Sequence, residues 1–524
     1  MGIVSRVNQS QIPNPVGSCR HELQTSTSLR DKAVSGGLWT GAQVVVNKVV
    51  SLGGTIAMMY LLLPAQYGLA TLASNLLAAV TLLAPFTLSD VLLSRPSEAD
   101  RLMGTAKRIC LLVTAANIVM LVTIAPLASA HYENPALFGA CIVMVLRPTV
   151  ELMLLGPQTR LRMSLRFKTL ATIDALTQSL ATVTGIAMAW MGAGYLSIVL
   201  PQIAFTAIRA FLYRRSCPAP LAAPSWLPKE ARSVFRGYVL SGLGQYVHGG
   251  LLVSTPLLIG QFATEREVGL YSQAFSLSAS MNIVVAVSMG LVLQPVFAQM
   301  LGDFDRQAAA FLRACRTIAA VAMPVCILQA ALTPAAFHTL LPATWGGAIV
   351  MTQLLCLGQA FYFPVNPAMG LLKAQGRFGA FFAWQSVQLF VAVLAMWIVA
   401  RLAVGSASIA IVSVAALLPL VSSPFGVWLS IRHRKSGSGG TLSIFLAPTT
   451  AAIVSIGPVY FATEYLLPEG VTRDWTQLLM VPLVALFLYR FTLRYLAPSQ
   501  YGEIEQIVRA AVNRLVPSWS KWSS

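Results

Sequence analysis

Long apolar stretches recur from one end of the chain to the other, separated by short polar segments. A transmembrane helix needs about 20 consecutive apolar residues, and fourteen stretches are long enough to cross a membrane, some with tilt. They are predicted at 36–63, 68–93, 109–130, 135–156, 169–192, 195–213, 237–260, 270–299, 316–341, 348–372, 378–400, 406–431, 441–463 and 476–496. The pattern predicts an all-α, polytopic membrane protein with about 14 transmembrane helices.

The composition supports this interpretation. Of the 524 residues, 56% are hydrophobic and 10% are charged, whereas about a quarter of a soluble protein is charged. A large soluble core does not explain apolar stretches that continue along the whole chain. The polar residues 1–35 lack the features of a secretory signal peptide, and we predict that they form a cytoplasmic N-terminal tail.

The basic residues predict the orientation of the helices. Thirty of the 36 lysines and arginines lie in the two tails and the even-numbered gaps between spans. The odd-numbered gaps hold three, Arg266, Arg401 and Arg473. Because cytoplasmic loops of membrane proteins are enriched in Lys and Arg, both termini are predicted to be cytoplasmic, in a bacterial inner membrane. This topology explains the net charge of +18 without a nucleic-acid partner.

A polar linker and a weak internal repeat divide the chain. Shifting the sequence by 201 residues matches Gly68-Leu69 to Gly269-Leu270 and Ala73 to Ala274. This offset places span 1 on span 7 and span 2 on span 8, as in transporters built from parallel repeats. The predicted units are an N-lobe (36–213), a cytoplasmic linker (214–236), a C-lobe (237–431), two further spans (441–496) and a cytoplasmic interfacial tail (497–524).

Three basic residues remain inside predicted spans, where charge is costly and indicates function. Lys48 lies near the middle of span 1 beside Asn47, and Arg147 lies deep in span 4. We predict that both contact substrate or, alternatively, that they form buried structural pairs. Arg209 is close enough to the cytoplasmic interface to be interpreted as a snorkelling anchor.

Arg147 is accompanied by two informative neighbours. Pro148 should kink span 4 and free a backbone carbonyl. Glu151 follows four residues after Arg147, so both lie on one helical face and are expected to form an ion pair.

Other polar residues in the spans have weaker interpretations. Gln245 and His248 fall in the middle of span 7, and His248 aligns with Asn47 under the 201-residue offset. Polar groups at equal depth in two repeats predict a shared substrate site. Asp90 and Asp174 lie near the cytoplasmic ends of spans 2 and 5. We predict that they cap helices or pair with nearby basic loops or, alternatively, that they take part in coupling transport to an ion.

Two segments have the pattern of helices that lie on the membrane surface. Residues 499–515 place apolar side chains on one helical face and Arg509 and Arg514 off it. Residues 303–316 are a shorter version of this pattern.

No enzymatic signature is present in the sequence. It contains no Walker A, HExxH or G-x-S-x-G motif, and its seven cysteines include no CxxC pair. The sequence therefore predicts neither an enzyme nor a metal or cofactor site.

Several short motifs lie in order along residues 30–400: KAVSGGLW (32–39), LPAQYGL (63–69), RFK (166–168), GLYSQA (269–274) and PVF (295–297) followed by Asp305-Arg306. In this order and spacing they resemble the polysaccharide transporter (Wzx-like) family of the multidrug/oligosaccharidyl-lipid/polysaccharide exporter superfamily. Many relatives have an asparagine and an aspartate in span 7, where this chain has Val253-Ser254-Thr255-Pro256. The resemblance therefore does not extend to cation coupling through that aspartate.

The resemblance implies two six-helix lobes around a central cavity, plus two C-terminal helices. It also implies export of an undecaprenyl-diphosphate-linked oligosaccharide for exopolysaccharide or O-antigen synthesis, by alternating access. The expected partners are this lipid-linked substrate, membrane lipids and polysaccharide polymerase or export machinery. The alternatives are a drug or metabolite exporter, a lipid II flippase and, from another class, a membrane glycosyltransferase or polymerase.

Overall fold

The computed structural model describes residues 50–81, 88–89, 92, 99–164, 166–217, 228–280, 297, 300, 304–375, 377–403, 405–432, 441–498, 500–503 and 505. These residues form helices joined by short turns, with no strand among them. The structure thus confirms the predicted all-α class.

The helices of the first half follow the predicted order. They are α1 (Val50–Leu61), α2 (Pro64–Val80), α3 (Ala99–His131), α4 (Pro135–Met144), α5 (Leu146–Met163), α6 (Phe167–Trp190) and α7 (Leu196–Ser216).

The second half begins within the segment predicted to be a linker. Its helices are α8 (Pro228–Phe262), α9 (265–280), α10 (Phe304–Leu340), α11 (Ala348–Tyr362), α12 (Asn366–Ala374), α13 (Phe378–Leu402) and α14 (Ala407–Ile431). Two more helices, α15 (Ser443–Leu466) and α16 (Val471–Leu496), pack against each other and against α10.

Nine helical segments in the described ranges are long and apolar enough to cross a membrane, and two shorter apolar helices accompany them. Their outer surfaces carry exposed apolar side chains, such as Leu112 and Leu127 on α3. Such surfaces suit a lipid environment, because helices satisfy their own backbone hydrogen bonds there. A membrane protein is therefore confirmed, and the count of fourteen spans stays a prediction.

Prolines break two of the predicted spans. Pro148 has no N–H to donate to the carbonyl of Met144, and span 4 is divided at Val145 into α4 and α5. Span 10 is similarly interrupted by a short 3-10 segment, Phe363–Val365, which contains Pro364. Both interruptions fall where a proline removes a backbone N–H donor.

The segment 304–316 is part of α10 and not a separate surface helix. One continuous helix runs from Phe304 to Leu340. Amphipathic spacing alone does not distinguish a surface helix from a spanning helix that extends past the membrane.

The first residues after α16 fold back onto α10. Glu503 accepts a hydrogen bond from Thr317 at 3.5 Å and lies 3.9 Å from Arg313. Burial raises the pKa of Glu503 above its ordinary value, while Arg316 and Arg313 oppose this shift. The remainder of the predicted interfacial segment 499–515 lies outside the described residues.

The two halves meet in a reciprocal contact that follows the 201-residue offset. A Cβ on Gly68 would lie 1.7 Å from the carbonyl oxygen of Glu265, and a Cβ on Gly269 would lie 1.8 Å from that of Pro64. Gly68 and Gly269 are counterparts under the offset. Each glycine therefore contacts the residue that lies four positions before the other glycine. Between them Thr71 donates to Ser272, its own counterpart, at 3.0 Å. The contact therefore has a local two-fold relation.

Further hydrogen bonds surround this contact and close one end of the bundle. Trp345 Nε1 donates to the carbonyl of Met59 at 2.7 Å, and Tyr60 donates to that of Leu340 at 3.0 Å. Tyr132 donates to the carbonyl of Leu257 at 3.1 Å. We call this end, formed by residues 59–72, 132–134, 257–272 and 340–345, the sealed end.

Substituting Gly68 with alanine should destabilise the sealed end. The added methyl group overlaps backbone that cannot move as a flexible side chain would, and overpacking costs about 1–3 kcal/mol. We expect a lower melting temperature of the detergent-solubilised chain. Gly457→Ala is the matched control, since a Cβ there meets nothing within 4 Å. Equal melting of the two variants would show that the glycine contact does not hold the halves together.

Candidate functional site

A cavity of about 720 Å³ lies between the two halves. Helices α2, α5 and α7 form one wall, and α8 and α13 form the other. Since α2 begins at the sealed end and its lining residues Ser74–Ala79 lie in its second half, the cavity lies beyond that end, toward the middle of the bundle.

Arg147 and Glu151 line the cavity on α5. Arg147 Nε lies 3.0 Å from Glu151 Oε1, so the ion pair expected from the four-residue spacing is present. The break at Val145 places Arg147 in the first turn of α5. Both side chains are half-buried, which leaves the pair partly open to the cavity.

Arg209 also lines the cavity, on α7. The sequence interpretation assigned it to the membrane interface, because a flexible arginine can reach that far. Its Nη1 lies 3.6 Å from Asp174 Oδ1 on α6. Asp174 in turn accepts a hydrogen bond from the buried Tyr213 at 2.5 Å. Asp174 thus pairs with two residues of α7.

The α5 wall contains a polar residue that the sequence interpretation missed. Gln158 lines the cavity seven residues after Glu151. This spacing is two helical turns, so Gln158 lies on the same face as Glu151. Extending the search for polar residues along this face would have found it.

The opposite wall is small and uncharged among its described residues. Three glycines of α8, Gly242, Gly249 and Gly250, line it together with Tyr246. A Cβ on Gly249 would meet nothing within 4 Å, whereas one on Gly250 would lie 2.7 Å from Leu389 of α13. Gly249 therefore leaves room in the cavity, while Gly250 permits close helix packing.

Tyr246 joins the two walls. Its hydroxyl donates to the carbonyl of Ala79 at 2.8 Å. Ala79 lies in the last turn of α2, whose terminal carbonyls have no partner within the helix. This hydrogen bond crosses the space between the halves.

Several predicted site residues lie outside the part of the chain that the structure describes. Asn47, Lys48 and Asp90 lie outside the described residues. Gln245 and His248 are residues of α8, but the structure does not describe their side chains. Their predicted roles remain predictions.

A second cavity of about 660 Å³ lies between α10, α15 and α16. Its walls are mostly apolar, and Arg490, Tyr501 and Glu505 lie at one side. None of the predicted site residues whose side chains the structure describes lines it.

The fold is that of known membrane transporters. The solved structure of lipid II flippase MurJ in an inward closed conformation superposes with a TM-score of 0.65 at 13% identity, covering 86% of this chain and 99% of that one. The inward-facing conformation of a multidrug resistance MATE family transporter of the MOP superfamily gives 0.51 at 14% identity, covering 76% and 96%. The protein therefore has the fold of this transporter class.

The sequence identifies the family within that class. The profile of the polysaccharide biosynthesis protein family matches residues 57–350, which is more than half of the chain, and the chain belongs to this family. This confirms the resemblance found in the sequence motifs.

Two curated relatives have related names. The succinoglycan biosynthesis transport protein ExoT of Rhizobium meliloti is 24% identical over 43% of this chain and 45% of its own length. The teichuronic acid biosynthesis protein TuaB of Bacillus subtilis is 21% identical over 73% of this chain and 79% of its own length. The match to ExoT thus spans less than half of that protein.

Proposed function

We propose that the protein is a flippase that moves a diphosphate-linked, lipid-anchored oligosaccharide across a bacterial inner membrane during polysaccharide synthesis. The observation that supports this most directly is the cavity between the halves, whose wall carries the guanidinium of Arg147 paired with Glu151. Membership of the polysaccharide biosynthesis protein family and the likeness to ExoT, a transport protein, point the same way.

Electrostatics explains why a phosphate-bearing group would enter this cavity. A charge is attracted more strongly at low dielectric than in water, and a guanidinium binds phosphate oxygens through paired hydrogen bonds. A neutral drug or sugar gains neither interaction.

The size of the cavity suits a head group and not a polyprenyl chain. About 720 Å³ lies within the range of small-molecule sites, roughly 300–1,000 Å³. The sugar and diphosphate would occupy the polar cavity while the lipid tail stays in the bilayer.

Passage requires the sealed end to open. By the distribution of basic residues this end is extracytoplasmic, so the described state would receive substrate from the cytoplasmic side. Rocking of the two halves about their two-fold contact would then expose the cavity to the other side.

The deletion phenotype distinguishes the neighbouring functions. A strain lacking the chain should stay viable, lose a surface polysaccharide and accumulate its lipid-linked precursor in the inner membrane. Loss of viability would favour the lipid II flippase, and increased drug sensitivity with normal polysaccharide would favour the drug exporter.

Replacing Arg147 with alanine should reduce polysaccharide export at least about tenfold in the complemented deletion strain, because a charge-assisted contact to phosphate is lost. Arg147→Lys should retain part of the activity, since it keeps the charge without the planar fork.

The control is Arg401→Ala. Arg401 stacks on Phe262 and Trp397 and does not line the cavity. With all variants at equal membrane levels, full export by Arg147→Ala would contradict the cationic cavity.

Filling the cavity should block transport while the fold is kept. Gly249→Phe places a ring in open space at the wall, so we expect loss of export with a nearly unchanged melting temperature. Gly457→Phe also adds a ring where a Cβ has no neighbour within 4 Å, but outside the cavity. If both variants export equally, the substrate does not pass through this space.

A cross-link across the two-fold contact should stop the transport cycle. Thr71→Cys and Ser272→Cys replace hydroxyls 3.0 Å apart with thiols at a separation that suits a disulfide. In a chain whose own cysteines are replaced, oxidation should abolish export and reduction should restore it, while each single variant should be unaffected by oxidant. Export that continues in the oxidised pair would exclude opening at this end.

A further inference from the structure

The cavity between α10, α15 and α16 is open to the side of the bundle. It has a volume of about 660 Å³ and shares no described lining residue with the cavity between the halves. Leu486 at its wall is 70% exposed, as an apolar side chain is where a helix faces lipid. A molecule would therefore enter this cavity from the bilayer. We call it the lateral groove.

The wall of the lateral groove is apolar because its polar atoms bond to each other. Pro324 has no N–H for the carbonyl of Ala320, which lies four residues earlier on α10. The hydroxyl of Tyr489 on α16 donates to this carbonyl at 2.8 Å. The aromatic ring of Tyr489 and the side chains of Val325 and Leu328 then line the groove. Such a wall suits a hydrocarbon chain.

The length of the lateral groove matches one leaflet of a membrane. Its lining residues on α16 include Pro482 and Arg490, which lie eight positions apart, or about 12 Å along the helix. Half of the hydrocarbon core of a bilayer is about 15 Å thick. By the distribution of basic residues, the end at Arg490 is cytoplasmic. The groove is therefore long enough for an acyl chain of the cytoplasmic leaflet.

The end of the groove at Arg490 carries charges of both signs. Arg490 Nε donates to the hydroxyl of Tyr501 at 3.3 Å, which uses one of the five N–H donors of the guanidinium. The carboxylate of Glu505 also lines the groove and is close enough to interact with the charge of Arg490. Arg494, one turn after Arg490, is exposed and does not line the groove. The groove thus ends in one cation and one anion.

This pair of charges complements a zwitterionic head group. A guanidinium binds phosphate oxygens through charge-assisted hydrogen bonds, and a primary ammonium offers three N–H donors to a carboxylate. Ethanolamine phospholipids carry both groups, two carbons apart. A choline head group has a cation without N–H donors, and a glycerol head group has no cation.

We propose that the lateral groove binds an ethanolamine phospholipid of the cytoplasmic leaflet. The phosphate lies at Arg490, the ammonium at Glu505 and one acyl chain between α10 and α16. Bound there, the lipid fills the space between the last two helices and α10 and stabilises their packing. This site goes beyond the proposed function and does not depend on the substrate.

The first test needs no substitution. The purified full-length chain, stripped of lipid in detergent, is titrated with dioleoyl phosphatidylethanolamine, phosphatidylcholine or phosphatidylglycerol, and binding is followed by native mass spectrometry. We expect the ethanolamine lipid to bind about tenfold more tightly, because each of the others lacks a charge-assisted hydrogen bond. It should also raise the melting temperature most, since a ligand of the folded state stabilises it. Equal binding of the three lipids would overturn the proposal.

Two exposed-end variants separate the roles of the charges. Glu505→Gln should reduce the affinity for the ethanolamine lipid to that for the choline lipid, whereas Arg490→Ala should weaken the binding of all three. Arg494→Ala is the matched control and should bind as the wild type does. If Arg494→Ala and Arg490→Ala weaken binding equally, the lipids are attracted by the general positive charge and the groove has no specific site.

The location and the occupant are tested by filling the groove and by competition. Val325→Trp places a large ring at the apolar wall and should abolish binding of the ethanolamine lipid, whereas binding that survives this change takes place elsewhere and contradicts the proposal. Undecaprenyl monophosphate at equal concentration should leave the ethanolamine lipid bound. Its displacement by the polyprenyl lipid would assign the groove to a substrate tail, which would overturn this inference and leave the proposed function standing.

Discussion

The high cost of charge in an apolar bundle determines the organisation of this protein. A charged side chain within a membrane must be paired, hydrated or both. Here Arg147 is paired with Glu151, and Arg209 with Asp174, at the wall of a cavity. The side chains of both pairs are half-buried, so the arrangement that makes the cations tolerable still leaves them partly open to the cavity.

The sealed end and the cavity differ in symmetry. The contact of Gly68 and Gly269 with the opposite backbone, centred on Thr71 and Ser272, relates the two halves by a local two-fold. The cavity walls have no such relation, because the described charges are on one half and the glycines of α8 on the other. Under the proposed function, a symmetric contact with a one-sided binding wall would let one half carry the anion while the other half moves past it.

Local spacing predicted some of these features. The Arg147–Glu151 pair follows from helical geometry and the break before Arg147 from Pro148. The 201-residue offset aligned the residues that meet at the sealed end, but their contact was not predicted. Each depends on neighbours along the chain or on a repeat that is visible in the sequence. By contrast, the position of Arg209 depends on which face of α7 packs inward and how far that helix extends beyond the arginine. Its pairing with Asp174 joins two helices, and a single sequence does not determine such packing.

The most direct measurement is an experimental structure of the full-length chain in lipid nanodiscs with a diphosphate-linked lipid bound. We expect the phosphates in the cavity between α5, α7 and α8, with oxygens within about 4 Å of the guanidinium of Arg147. Phosphates bound elsewhere, with Arg147 directed toward lipid or fully occupied by Glu151, would contradict the proposed function.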